Sequence, residues 1–136
     1  MAKLRAILFD LDGTLLDTEA LSDKAMYAAL DIIQHDDEDE QRLPWELKQR
    51  ILGLRGAEWG PIVLHYAKTK WKLENLPTAN QLWKDWEDYI NTYCSQAQAC
   101  PGATQLVQEL AEYKLPMAIA TSSRQTSVNK KRMNHD

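Results

Sequence analysis

The chain has 136 residues, 44% hydrophobic and 26% charged, with a formal net charge of −4. This composition is typical of a globular protein, and the length suits one ordinary domain or part of a larger one. No basic run could follow a phosphate backbone and no apolar stretch approaches the roughly 18 residues of a membrane span, so neither nucleic acid nor a membrane is an expected partner. The first apolar run ends in two acids instead of a signal-peptide cleavage site, so we expect a cytoplasmic protein.

The N-terminal part begins with a strand and continues as a helix. Residues 4–9, LRAILF, form an apolar run of strand length. An apolar stripe at helical spacing predicts a helix from Thr18 to about Gln34, whose N-cap oxygen comes from Asp17 or Thr18. The acidic run 35–41 lacks the alternating ligands of an EF-hand loop and is predicted to be a solvated connection.

Further helices are predicted over residues 44–52, 57–70 and 79–93. The last of these carries a stripe of large side chains, which we interpret as packing core: Leu82, Trp83, Trp86, Tyr89, Ile90 and Tyr93. The stretch 18–93 is therefore predicted to be an all-helical unit. Cys94, just beyond it, and Cys100 fit no zinc pattern and are predicted to be reduced thiols.

The pattern changes at CPGA, residues 100–103, where Pro and Gly interrupt the helices. An amphipathic helix follows, and then a second apolar run, LPMAIATSS, in which Pro116 stands at the strand start. Two strands joined through helix predict a parallel α/β sheet, whose ligands bind beyond the carboxyl ends of the strands. The polar residues expected to gather there are Asp10, Asp12, Thr121, Ser122 and Ser123.

These residue types suit phosphoryl transfer. Asp10 can attack phosphorus and bind Mg²⁺, which shields the carboxylate from an anionic substrate. Asp12, on the turn, can protonate the leaving oxygen and later take a proton from water. Gly13 allows a sharp turn, and the hydroxyl of Thr121 with nearby backbone N–H groups can hold the phosphate oxygens.

Two motifs carry a family resemblance. DLDGT, residues 10–14, with AILF before it and LLD after it, closely resembles the first motif of the haloacid dehalogenase superfamily. MAIATSS resembles the second motif, a hydrophobic strand ending in Thr or Ser, here Thr121. The helical block between them resembles the inserted cap of the subgroup of sugar-phosphate phosphatases, pseudouridine-phosphate phosphatases and β-phosphoglucomutase. PGA, residues 101–103, stands where that subgroup returns to its core.

The resemblance implies a role for each matching residue. Asp10 would be the nucleophile and a Mg²⁺ ligand, and Asp12 the general acid/base, with its backbone carbonyl on Mg²⁺. The remaining candidates are Leu11, Thr121, Ser122 and Arg124 for phosphate, and Glu19 and Arg55 for substrate. The residues alone leave alternatives open. Arg55 can be an exposed loop arginine, Arg124 can be a polar residue at the start of a helix, and Glu19 can be an acid at the start of a helix.

The implied fold is a partial Rossmann-like α/β core, residues 1–17 and 94–136, with an inserted helical cap, residues 18–93. The family's third-motif lysine and fourth-motif acidic pair stand beyond the end of this chain. Lys130 and Lys131 lie too close to the second motif, in the helix predicted after it, to be assigned as that lysine. We therefore expect a truncated form, the N-terminal part of a longer enzyme.

The resemblance implies a Mg²⁺-dependent phosphatase acting on a small phosphorylated metabolite. One alternative is a phosphomutase of the β-phosphoglucomutase type, which uses the same nucleophile and acid but passes the phosphoryl group to a second hydroxyl. An alternative of another class is a catalytically incomplete fragment that acts as an interaction module or associates with itself, because exposed sheet edges favour association.

Overall fold

A computed structural model describes residues 4–32 and 42–135. The strands are β1, Ile7–Phe9, and β2, Met117–Ile119. The helices are α1, Thr18–Ala29; α2, Trp45–Ile51; α3, Gly56–Thr69; α4, Ala79–Tyr93; α5, Ala103–Glu112; and α6, Gln125–Arg132. A 3₁₀ turn, Cys94–Gln96, follows α4. The connection predicted at 35–41 lies outside the described residues, and none of the described helices has the length and apolarity needed to cross a membrane.

The chain divides into two compact units. The α/β unit comprises the chain up to Leu21 together with the chain from Tyr93 onward, and the helical unit comprises Ser22–Thr92. The division falls close to the predicted segment 18–93. That the helical unit acts as a cap stays a prediction.

The two strands pair in parallel, which confirms the predicted α/β class. The register pairs Ile7 with Met117, Leu8 with Ala118, and Phe9 with Ile119. The ladder begins where the Ile7 N–H donates to the Pro116 carbonyl at 2.9 Å and closes where the Ala120 N–H donates to the Phe9 carbonyl at 2.8 Å. The first strand is therefore shorter than the predicted 4–9, because only this part lies beside β2.

The helical unit has its own apolar core. Its buried members are Met26, Leu30, Leu43, Leu47, Trp59, Val63, Tyr66, Ala67 and Leu82. Trp59 packs edge-on against Trp86 at 5.6 Å between ring centroids, and the Trp86 indole N–H donates to the Ser22 carbonyl at 3.1 Å. Because the apolar body of Trp86 packs inward and its N–H has an acceptor, the ring is satisfied in a partly buried position.

The predicted core stripe of α4 is wrong for two of its members. Leu82 is fully buried, whereas Trp83 and Tyr93 are 42% and 38% exposed. Trp83 stands one residue, or about 100° of helical rotation, from Leu82 and so leaves the inward face. Its ring instead covers Gly56, where a Cβ atom would come within 2.2 Å of Trp83 Cδ1.

Helix α1 ends earlier than the predicted Gln34. Asp31 adopts a left-handed conformation with φ 54°, and the Ile32 N–H donates back to the Tyr27 carbonyl at 3.0 Å. This arrangement is a Schellman-type helix end, which Asp tolerates better than most residues. The start of α1 is as predicted, because Asp17 Oδ1 accepts the Ala20 N–H at 3.0 Å.

Candidate active site

Asp10 stands directly after β1 and is exposed to solvent. Because Phe9 pairs with Ile119, the parallel register brings Asp10 level with Ala120, one residue before Thr121. Asp10 Oδ1 accepts the Leu11 backbone N–H at 2.9 Å. The sequence-predicted nucleophile therefore lies at the carboxyl end of the sheet, where ligands of parallel sheets bind.

A tight turn carries the chain away from Asp10. The Leu11 carbonyl accepts the N–H groups of Leu15 and Leu16, each at 3.0 Å, and the Gly13 N–H donates to the Leu16 carbonyl at 2.8 Å. Gly13 has φ +73°, and a Cβ atom there would lie 3.4 Å from Glu19 Oε1. The turn thus needs glycine for its left-handed backbone, and it places the Glu19 carboxyl beside the motif.

Two contacts fix this turn to the segment before α5. The Asp17 N–H donates to the Gln98 carbonyl at 2.8 Å, and the Cys100 N–H donates to the Leu15 carbonyl at 2.9 Å. Beneath the turn lies a small buried cluster of Leu11, Leu16, Ala97 and Val128. Val128 belongs to α6, so this helix packs under the motif that carries the two acids.

Asp12 is held by two side chains from the C-terminal part of the chain. The Ser123 hydroxyl donates to Asp12 Oδ2 at 2.7 Å, and the Lys131 ammonium donates to Asp12 Oδ1 at 2.6 Å. A third hydrogen bond, from Lys131 Nζ to Ser123 Oγ at 3.2 Å, closes the triangle. The Lys131 side chain is only 8% exposed, whereas that of Asp12 is 34% exposed. We call Asp12, Ser123 and Lys131 the acid cluster.

The acid cluster changes the pKa of Asp12. Partial burial by itself raises the pKa of this carboxyl, but the hydrogen bonds from Lys131 and Ser123 and the charge of Lys131 outweigh burial. The pKa therefore lies below its ordinary value, and Asp12 is a carboxylate at neutral pH.

The lowered pKa predicts a specific pH dependence of stability. The contribution of Asp12 is complete above its unfolded pKa and is lost as pH falls through the lower folded value. Between about pH 4 and 2, the free energy of unfolding of the wild type should therefore fall more steeply than that of Asp12→Asn. Urea unfolding followed by circular dichroism, with EDTA present, measures both slopes.

Asp31→Asn is the matched control, because it removes an exposed carboxyl at a position where Asn suits the left-handed backbone. It should keep the steep wild-type slope. Equal slopes for wild type and Asp12→Asn would contradict the ion pair.

The second motif turns at Thr121. The Thr121 hydroxyl oxygen accepts the Ser123 N–H at 3.1 Å, which directs the chain into α6. Ser122 is exposed, and Arg124 is the exposed N-cap residue of α6. The structure thus joins Asp12 to Ser123 directly and places Thr121 at the neighbouring strand end.

Arg55 belongs to the helical unit. It is the exposed N-cap residue of α3, where its backbone N–H donates to Glu58 Oε2 at 2.9 Å. The predicted roles of Arg55 and Glu19 in substrate contact and of Leu11, Ser122 and Arg124 in phosphate contact stay predictions.

The sequence predicts that Lys131 lies in the helix after the second motif, which the structure confirms, but it assigns Lys131 no place in the site. The available signal was spacing: Val128 and Lys131 stand three residues apart and so share a helix face. An apolar residue marks that face as inward, so a lysine on it needs a carboxylate partner.

The donor atoms suit a hard cation such as Mg²⁺. Magnesium sites in phosphoryl-transfer proteins commonly use one or two protein oxygens, with water and phosphate completing the shell. The Asp10 carboxylate is one such oxygen donor, whereas both oxygens of the Asp12 carboxylate accept hydrogen bonds within the acid cluster. Metal binding by Asp10 and by the Asp12 backbone carbonyl, which the family resemblance implies, stays a prediction. Among residues 4–32 and 42–135, no group of three His, Cys, Asp or Glu side chains is placed to hold a metal alone.

The family is established by a sequence comparison. A model of the haloacid dehalogenase-like hydrolases matches residues 4–135, and the chain belongs to this family. It is 28% identical over 130 residues to the uncharacterized protein C4C5.01 of Schizosaccharomyces pombe, covering 95% of this chain and 47% of that protein. It is 29% identical over 143 residues to a probable pseudouridine-5'-phosphatase of Drosophila melanogaster, and this match covers 99% of this chain and 53% of that protein. The chain spans about half the length of the curated relatives it matches.

A solved structure shows the same fold. A HAD family hydrolase from Deinococcus radiodurans R1, with bound phosphate and sodium, superposes with a TM-score of 0.65 at 23% identity. The match covers 97% of this chain and 52% of that protein. This likeness confirms the α/β class predicted from the sequence.

Proposed function

We propose that the protein is a Mg²⁺-dependent phosphatase of a small phosphorylated metabolite, acting through an aspartyl phosphate. The observation that carries the proposal is the pair of acids at the end of β1. Asp10 is exposed to solvent, and Asp12, two residues later, is held by Ser123 and Lys131. The family and the probable phosphatase among its relatives support the same reaction class.

Asp10 begins the reaction. A carboxylate oxygen of Asp10 attacks phosphorus, the bond between phosphorus and the ester oxygen breaks, and an acyl phosphate forms on Asp10. Water then attacks that phosphorus, which releases inorganic phosphate and restores the carboxylate. A bound Mg²⁺ would neutralise charge between Asp10 and the phosphate oxygens.

Asp12 moves the proton in both halves. The lowered pKa keeps Asp12 ionised, and in the second half this carboxylate takes a proton from the attacking water. In the first half it must be protonated, and an incoming phosphate anion favours this by opposing the positive charge of Lys131. The Asp12 proton then passes to the leaving oxygen.

The second motif and the turn would hold the phosphate. The Thr121 hydroxyl and the Leu11 N–H are the proposed donors, with Ser122 and Arg124 beside them. The Leu11 N–H donates to Asp10 in the described structure, so phosphate would compete with that carboxylate for it. Glu19 and Arg55 are proposed substrate contacts.

The test is phosphate release by the 136-residue chain from pseudouridine 5'-phosphate, glycerol 3-phosphate and p-nitrophenyl phosphate. Each ester is assayed with Mg²⁺ and with EDTA. We expect release that requires Mg²⁺. A folded chain that releases no phosphate from any of them would contradict the proposal. Isomerisation of a sugar phosphate without net phosphate release would favour the phosphomutase instead.

We also propose self-association through the sheet. Leu8 on β1 and Ile119 on β2 are 71% and 43% exposed, and Leu106 on α5 is 47% exposed. A two-stranded sheet with exposed apolar residues gains stability by covering them. Sedimentation velocity should show a second copy binding as concentration rises, and Leu8→Lys should weaken it. A monomer at all concentrations would contradict this proposal.

A further inference from the structure

Lys131 lies in an unusual environment for a lysine. It stands on α6, three residues after Val128, and both side chains are buried on the inward face of the helix. A buried ammonium is costly unless it is paired and hydrogen-bonded. Lys131 meets that requirement through Asp12 Oδ1 at 2.6 Å and Ser123 Oγ at 3.2 Å.

The acid cluster fixes the direction of the Asp12 carboxyl group. Each carboxylate oxygen has its own donor, Lys131 for Oδ1 and Ser123 for Oδ2. Ser123 accepts from Lys131 and donates to Asp12, so its hydroxyl hydrogen has one direction available. Rotation of the Asp12 side chain would break both charge-assisted contacts at once.

We propose that Lys131 is a positioning residue, which with Ser123 holds the Asp12 carboxyl group toward the leaving oxygen of the substrate. This inference rests on the proposed phosphatase function. Lys131 acts through Asp12 and is assigned no contact with substrate. Its effect should therefore appear in proton transfer to the leaving group, and binding should be preserved.

The leaving group distinguishes this role from a structural one. The p-nitrophenolate ion leaves without a proton, whereas the alkoxide of glycerol 3-phosphate must be protonated as it leaves. Lys131→Met should lower kcat for glycerol 3-phosphate at least about tenfold more than for p-nitrophenyl phosphate, with KM for each ester changed less than about twofold. Ser123→Ala should show the same selectivity to a smaller degree.

Two further variants serve as controls. Lys131→Arg keeps the charge and should restore part of the lost kcat on glycerol 3-phosphate. Lys130→Met makes the same chemical change at the neighbouring exposed position and should leave both rates at wild-type values. Circular dichroism and thermal unfolding establish whether each variant is folded. If Lys131→Met does not fold, the comparison of the two esters is made with Ser123→Ala instead.

The possible failures are distinguishable. Equal losses on both esters, or a loss confined to KM, would overturn the positioning role and leave the phosphatase proposal standing. A folded wild-type chain with no Mg²⁺-dependent release from either ester would overturn the phosphatase proposal, and the positioning role with it.

Discussion

Asp10→Asn should lower kcat for phosphate release by about a thousandfold or more on every ester, because it removes the nucleophile. An amide cannot form the acyl phosphate, and an ester with a better leaving group still requires this nucleophile. The variant should fold normally, because Asp10 is exposed and its side-chain contact among the described residues is with the neighbouring Leu11 N–H. Steady-state phosphate release with saturating Mg²⁺ measures the loss.

Asp31→Asn is the matched control for this experiment. It makes the same chemical change at an exposed position in the turn after α1, and Asn tolerates the left-handed backbone there. Its kcat should equal that of wild type. If Asp10→Asn keeps more than about a tenth of the wild-type kcat, another group must attack phosphorus.

Asp12→Asn should lower kcat for glycerol 3-phosphate by about 10²- to 10⁴-fold, the usual contribution of a general acid/base. The loss on p-nitrophenyl phosphate should be smaller, because its leaving group needs no proton and only the second half of the reaction is impaired. A burst of p-nitrophenol followed by slow turnover is therefore expected. Rapid-mixing absorbance measurements detect this burst.

The burst separates the two halves of the reaction. Wild type should show little or none, because Asp12 also accelerates hydrolysis of the acyl phosphate. If Asp12→Asn lost the same factor on both esters and showed no burst, Asp12 would be acting on phosphate binding or on folding, and its assignment to proton transfer would be wrong.

The strands and their parallel pairing could be predicted because their signals are local. Two apolar runs of strand length end in polar residues, and helices lie between them, as in the crossover connections that join parallel strands. The same reasoning placed Asp12 and Ser123 together, and the structure joins them at 2.7 Å. The positions of residues that follow two parallel strands are strongly constrained, because both strands end at the same edge of the sheet.

Other features depend on tertiary packing that spacing does not determine. The amphipathic pattern of α5 predicts a buried face, yet none of its residues is buried, because the two-stranded sheet offers little surface to cover it. Trp83 leaves the core through a rotation of one residue along α4. Spacing indicates that Lys131 needs a carboxylate partner but does not identify it, because Asp12 stands 119 residues away in the sequence.

The most direct test of the central claim is mass spectrometry of the chain after acid quenching during turnover of p-nitrophenyl phosphate with Mg²⁺. We predict one phosphoryl group on the peptide that carries Asp10, formed and lost at rates that account for phosphate release. The label should be absent from Asp10→Asn and should accumulate in Asp12→Asn. Phosphate release without this label, or a label on another residue, would contradict the mechanism.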